Sequence, residues 1–322
     1  MSIQNQSTDF LRKEFNSKHV EQLEVGSVVL NLLVVTGANT GPRITVLGGV
    51  HGDEYEGPHA VRNLFRNLQT EDLSGTFLGI PQCNPPAFEA GTRTSPLDGL
   101  NLARVFPGRR SGTPTEIIAY NIGSRAIEGS DFLIDLHSSG SNMEMATLVG
   151  YHQADNQASK MSKAAAIAFG APVVWAHPDL SSGRTVSHAQ QFKIPWLYTE
   201  CPGGGWLNQD ISQLYEKGVL NVMHLLKMLA QPASAPVQQQ HIVGSGDTDQ
   251  AIMAKTSGYF VPDVEILEEV SKGSILGSIL GPDGQVKERI QAADEGIVAL
   301  IRRTPTIAEG DQTFLLAKDV ES

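Results

Sequence analysis

Apolar residues along this chain fall into short, β-branched runs separated by stretches of helical periodicity. Residues 28–35 (VVLNLLVV) and 44–50 (ITVLGGV) are almost continuously apolar, as strands buried on both faces of a parallel sheet are. Pro58 sits where a first helical turn tolerates it, and Ala60, Val61, Leu64, Phe65 and Leu68 then recur at helical spacing. Further strands are predicted at 77–81, 132–136, 147–151, 172–176 and 196–199. Further helices are predicted at 115–128, 154–169 and 210–230, with residues 82–88 read as a loop. Strands alternating with helices predict an α/β fold over residues 28–230, a mostly parallel mixed sheet flanked by helices. Residues 1–27 are mixed and polar and read as an N-terminal arm. Residues 231–246, rich in Pro, Ala and Gln without periodicity, read as a linker. From 247 to 322 short runs are broken by glycines, which implies a small C-terminal all-β domain with no candidate chemistry of its own.

Composition narrows the setting. The 322 residues are 40% hydrophobic and 18% charged, a globular balance, and exceed the usual size of one core. An excess of 35 acidic over 24 basic residues gives a net charge of −11, which argues against nucleic acid or an anionic membrane as partner. Two cysteines, Cys83 and Cys201, are too few for a disulfide framework and suit a reducing compartment. The polar N-terminal stretch has no hydrophobic signal core, and no apolar run is long enough to span a bilayer. The expectation is a soluble, cytoplasmic protein. A homo-oligomer is compatible with the sequence, which does not encode oligomeric state.

The first candidate chemistry is His51-Gly52-Asp53-Glu54, just beyond the second strand. An imidazole and a carboxylate three apart can turn toward one ion, and a catalytic zinc site takes three such ligands. His137 closes the strand at 132–136, so both histidines lie past strand carboxyl ends, where ligands bind in open α/β sheets. Asp135 shares a strand face with His137 and is either its hydrogen-bonding partner or a structural carboxylate. A single histidine after a strand is more often structural; the pairing with His51 and Glu54 reverses that weighting. Glu200, at the end of a strand and before a glycine run, is the candidate general base, against a bland role capping the turn. Cys201 is a weak nucleophile candidate, because no histidine is evidently paired with it. The long loop 89–115 carries Arg93, Arg104, Arg109 and Arg110, and so long a loop is more often functional than idle.

Several of these residues fall in one order. His51-Gly-Asp-Glu54 is followed by Asn84-Pro-Pro-Ala-Phe88 and Gly91-Thr-Arg-Thr-Ser-Pro96. Asp98-Gly-Leu-Asn-Leu-Ala-Arg104-Val-Phe-Pro-Gly108, Asp135-Leu-His137 and Thr199-Glu200 complete the series. Together they resemble the succinylglutamate desuccinylase/aspartoacylase family, a branch of the zinc carboxypeptidase-like fold, and most of all its N-acetyl-diaminobutyrate deacetylase branch. The resemblance covers roughly residues 28–230. It implies one Zn²⁺ held by His51, Glu54 and His137, with Glu200 as general base and acid. It places Arg93 at the scissile carbonyl and Arg104 on a substrate carboxylate. Asn101 is a further substrate-binding candidate. Arg109, with Arg110, is a weaker one at the pocket rim, against the commoner fate of a solvated loop charge. Ala103 departs from the pattern, because the family usually has an asparagine beside that arginine; the substrate carboxylate is then held differently or is absent.

The function implied is a zinc-dependent amidohydrolase that deacylates a small N-acyl amino acid or related compound. Near alternatives are a zinc carboxypeptidase acting on short peptides and a non-catalytic small-molecule-binding relative. The C-terminal domain would narrow the mouth of the site. A biotin- or lipoyl-carrier role for it lacks the expected lysine hairpin. Substrate selection falls to loops 138–145 and 177–188, whose His177 and His188 could face the pocket but read more readily as surface or structural residues.

Overall fold

The two apolar runs form the middle of one large sheet. The computed structural model describes residues 15–235 and 237–319. Its first ten strands are β1 (Ser17–Val25), β2 (Val28–Thr36), β3 (Asn39–Gly48), β4 (Ser74–Ile80), β5 (Phe132–Leu136), β6 (Met143–Met145), β7 (Leu148–His152), β8 (Val173–His177), β9 (Trp196–Glu200) and β10 (Gln240–Val243). The order across the sheet is β1-β2-β4-β3-β5-β9-β7-β8-β10. Pairing is parallel along β4-β3-β5-β9 and along β7-β8-β10, and antiparallel at β1-β2, β2-β4 and β9-β7. This is the mostly parallel mixed sheet that the alternation of elements predicts.

The central strands are apolar on both faces because both faces are covered. The helices are α1 (Glu56–Asn67), α2 (Pro85–Ala90), α3 (Pro114–Ile122), α4 (Gln157–Phe169), α5 (Thr185–Gln191) and α6 (Gln209–Leu225). Val35 and Val46 pack with Leu64 of α1 and Val222 of α6 in one core. Val34 and Leu47, one residue away in each strand, pack with Ile118 of α3 and Val186 of α5 in the other. Adjacent residues thus feed opposite cores, as a period of two requires. Each such side chain contributes roughly 1.5–3 kcal/mol by leaving water.

Several local expectations change. The loop 82–88 contains the start of α2, because the Asn84 side chain accepts the Ala87 N–H and the two prolines fit a first turn. The helix expected at 115–128 is α3 followed by a π-helical turn, Gly123–Ile127. The α6 helix stops at Leu225, and α5 was not anticipated. Of the expected N-terminal arm, residues 1–14 lie outside the described residues, and β1 pairs along its whole length with β2. Within the expected linker, β10 pairs in parallel with β8 and buries Ile242 completely. Strand pairing uses backbone groups, and these two strands bury few apolar side chains, so composition concealed both.

The glycine-punctuated C-terminal region is β-rich, as expected. Strands Gly258–Pro262, Ile275–Leu280 and Val286–Gln291 belong to a separate antiparallel sheet. Gln312–Asp319 pairs with β10, and Gly296–Arg302 pairs with β6, so the main sheet continues into this region. No helix among the described residues is long and apolar enough to cross a membrane.

Candidate metal centre and substrate cavity

Because β3, β5 and β9 are adjacent and parallel, their carboxyl ends emerge side by side. Gly48 pairs with Leu136, and Leu136 with Thr199, so the register brings His51, His137 and Glu200 to one edge. Glycines make the turn after β3 feasible. Gly49 has φ +64°, and a Cβ on Gly52 would stand 2.0 Å from the backbone of Ala87 in α2.

Three buried side chains converge there. Nδ1 of His51 is 2.7 Å from Oε1 of Glu54, and Nδ1 of His137 is 2.9 Å from Oε2 of the same carboxylate. One donor atom from each of the three residues lies within 4.8 Å of the others. The outer nitrogens are engaged elsewhere: His51 Nε2 lies 3.1 Å from Asn101 Oδ1, and His137 Nε2 lies 3.0 Å from Asp135 Oδ2. Those oxygens only accept, so each ring carries a proton on Nε2 and points Nδ1 inward, where a second proton or a cation must bridge it to Glu54. Without one, bare lone pairs would face a carboxylate across less than 3 Å, which is repulsive. Two imidazoles and a carboxylate form a donor set that suits Zn²⁺. Asp135 is itself fixed by the Thr185 hydroxyl at the start of α5, and Glu54 receives the Ser138 N–H at 3.2 Å.

The electrostatics follow from this packing. Burial alone would raise the Glu54 carboxyl, but His51 and His137 outweigh it and hold it well below the usual range. Burial, reinforced by Arg93, lowers His51. For His137 burial is overcome by Asp135 and Glu54, and the ring is drawn well above the histidine norm. Glu200 is pushed up to about 8, first by burial and then by Glu54, against opposing effects of His137 and Arg93. Its Oε2 is buried without a hydrogen-bond partner. A half-buried carboxyl group with one oxygen unpaired, beside a ligand cluster, is poised to exchange a proton.

The arginines separate into two groups. Arg93 reaches the centre, with Nη1 3.3 Å from Glu54 Oε1 and 3.4 Å from His51 Nδ1. Arg104 lines the cavity, where its fork is held by Asp249 and the Thr248 hydroxyl. Arg109 does not line it: its exposed guanidinium pairs with Glu116 of α3 at 2.7 Å, outside the substrate cavity expected for it. Arg110 is likewise exposed. Asn101 is placed behind His51 rather than facing the cavity, and its Oδ1 also accepts the Ala103 N–H at 2.9 Å. Asp53 accepts from the backbone and hydroxyl of Ser141 and so fixes the loop after β5. The Cys201 thiol is buried and raised by burial, which leaves it inert as a nucleophile.

The cavity, ≈ 90 Å³, extends from the histidines past Ala103 to Arg184, Tyr198 and His177. His177 thus reaches the cavity wall, contrary to the bland expectation. Its Nδ1–H donates to Gly244 O, and its Nε2 accepts from the Tyr198 hydroxyl, each at 2.8 Å. His188 is buried elsewhere, beside Glu128. Tyr198 was legible in principle, since it lies two residues before Glu200 on one strand. Arg184 escaped notice with α5. Asp247, which pairs with Arg184, and Thr248 come from the region expected to carry no chemistry.

Comparison with known proteins agrees with this architecture. Residues 40–226 match the model of the succinylglutamate desuccinylase/aspartoacylase catalytic domain. The chain is 30% identical over 302 residues to N-alpha-acetyl-L-2,4-diaminobutyric acid deacetylase of Halomonas elongata, a match that covers 92% of this chain and 88% of that protein. A crystal structure of a succinylglutamate desuccinylase from Silicibacter superposes with a TM-score of 0.84 at 27% identity, over 94% of this chain and 93% of that one. The product-bound ectoine utilization protein EutE (DoeB) from Ruegeria pomeroyi gives a TM-score of 0.83 at 29% identity, again over 94% and 93%.

Proposed function

Because the chain belongs to the succinylglutamate desuccinylase/aspartoacylase family, we propose that it is a zinc-dependent deacylase of small N-acyl amino acids. Its likeness to the Halomonas elongata enzyme favours an N-acylated diamino acid, the class of compound to which N-acetyl-2,4-diaminobutyrate belongs. The observation that carries the reading is the inward turn of both Nδ1 atoms upon Glu54, with Asn101 and Asp135 behind the rings. His51, Glu54 and His137 would hold the zinc ion, which when bound supplies a Lewis acid and lowers the pKa of a water molecule.

The remaining roles belong to the chain's own side chains. Glu200 takes a proton from the attacking water and returns it to the departing nitrogen, so that the amine leaves neutral. Arg93, beside Glu54, donates to the carbonyl oxygen as it gains negative charge. Arg104 offers a planar fork to the substrate carboxylate once Asp249 releases it. Arg184 lines the same cavity and gives a further donor to the amino-acid portion, while the Tyr198 oxygen, its proton donated to His177, can only accept.

The test is direct. The purified chain is assayed for bound zinc and for acetate release from N-acetyl-2,4-diaminobutyrate, with and without a chelator. Tight zinc binding and chelator-sensitive hydrolysis are expected. A chain that binds no zinc when supplied with it, or that leaves every N-acyl amino acid intact, defeats the reading.

A further inference from the structure

A second cavity, ≈ 300 Å³, adjoins the first and shares Arg93, Glu200 and Thr248 with it. An amide has two sides, and residues common to both cavities mark where the scissile bond lies between them. The cavity containing Arg104 and Arg184 suits the charged amino-acid side. We propose that the second cavity receives the acyl group, and that it is built for an uncharged acyl chain longer than acetyl. The proposal rests on the deacylase reading above and assigns the other half of the same substrate.

Its size and lining carry the argument. At ≈ 300 Å³ it far exceeds what an acetyl methyl fills. Half-buried Met143 of β6, backed by the nearly buried Met145 and Leu300 of the paired strand Gly296–Arg302, gives it an apolar patch among neutral polar groups such as Ser139, Asn142 and Gln312. Methionine adapts to irregular apolar chains. The charged groups do not favour a second carboxylate. Arg302 is nearly buried, and its guanidinium is committed to Thr304 O, Thr306 O and Asp311. Arg93 is turned toward Glu54. Asp53, also in the lining, would repel an acyl carboxylate. The β-rich region therefore supplies part of the acyl site itself, through Leu300, Arg302 and Gln312.

The experiment compares kcat/KM of the zinc-supplied full chain on Nα-acetyl-, Nα-butyryl-, Nα-hexanoyl- and Nα-succinyl-2,4-diaminobutyrate. Butyryl and succinyl have the same chain length and differ at the terminal group. Each added methylene that is buried is worth roughly fourfold, so butyryl and hexanoyl are expected to equal or exceed acetyl. Succinyl is expected at least a hundredfold below butyryl. Met143→Trp, which fills the cavity from a half-buried position, should lower the hexanoyl-to-acetyl ratio at least tenfold. Met143→Ala should hold or raise that ratio, and it decides the matter if the larger residue prevents folding, as melting curves would show. Acetyl preferred tenfold over butyryl, succinyl equal to butyryl, or ratios indifferent to both variants would overturn the proposal. No turnover on any amide would count against the deacylase reading instead. The cavity is then judged by calorimetry, where it requires tighter binding of the butyryl than of the succinyl compound.

Discussion

Arg104 holds Asp249 with two hydrogen bonds, Nε to Oδ2 at 2.9 Å and Nη2 to Oδ1 at 3.1 Å. The carboxylate thereby occupies the fork proposed for the substrate, and it comes from the β-rich C-terminal region. Asp249 is 57% exposed, so the pair is screened and contributes at most about 1 kcal/mol. A substrate carboxylate can displace it at that cost. Replacement Asp249→Asn is expected to lower KM for a carboxylate-bearing substrate by about fivefold, with kcat little changed. The matching substrate amide, which has no carboxylate, should show no such gain; equal gains for both compounds would remove Arg104 from this role.

Asn101 stands behind His51 of the candidate metal centre. Loss of such a partner commonly costs ten- to a hundredfold in metal affinity. Asn101→Ala should weaken zinc binding in that range, as measured by chelator competition. An unchanged zinc affinity would show that the contact between His51 Nε2 and Asn101 Oδ1 is incidental.

Glu200→Gln keeps the shape of the side chain and removes its capacity to take a proton. The expected effect is a drop in kcat on the order of 10³-fold, the scale of a general acid–base group, with zinc binding retained. Hydrolysis at the wild-type rate would assign the proton transfer elsewhere.

His177 makes stability depend on pH. Burial pulls it down to about 4, with the Gly244 carbonyl opposing, and His152 and Arg184 adding to the fall. The Tyr198 hydroxyl faces its other nitrogen. The unfolded chain therefore binds the proton more readily, so this contribution is fully present above about pH 6.5 and is lost as pH falls toward 4. The loss attributable to this residue is roughly 3 kcal/mol. Denaturant melts at pH 7 and pH 4.5 should show most of that loss in the wild type and a smaller one in His177→Gln.

Arg109 stands outside the cavity, paired with Glu116. Arg109→Ala should leave kcat/KM within twofold of wild type. A tenfold loss would place this side chain at the substrate in solution.

The sequence by itself determined the strands and helices of the α/β layer, because buried strands and amphipathic helices leave local periodicities. It also singled out His51, Glu54, His137 and Glu200 as candidates, since each lies at or just past the carboxyl end of a strand, and the fold brings the first three into one buried cluster. What each arginine and amide does was decided by tertiary structure alone. Asn101 lies fifty positions from His51 and still serves as its partner, while Arg109, five residues beyond Arg104, turns outward to Glu116. Partnership across such separations depends on which surfaces the fold brings together, and no local pattern records it. The same holds for the C-terminal region, whose Thr248, Asp249 and Leu300 look idle in sequence. Thr248 and Leu300 acquire a place at the cavities, and Asp249 its hold on Arg104, only because the main sheet continues, through β10 and β6, into this region.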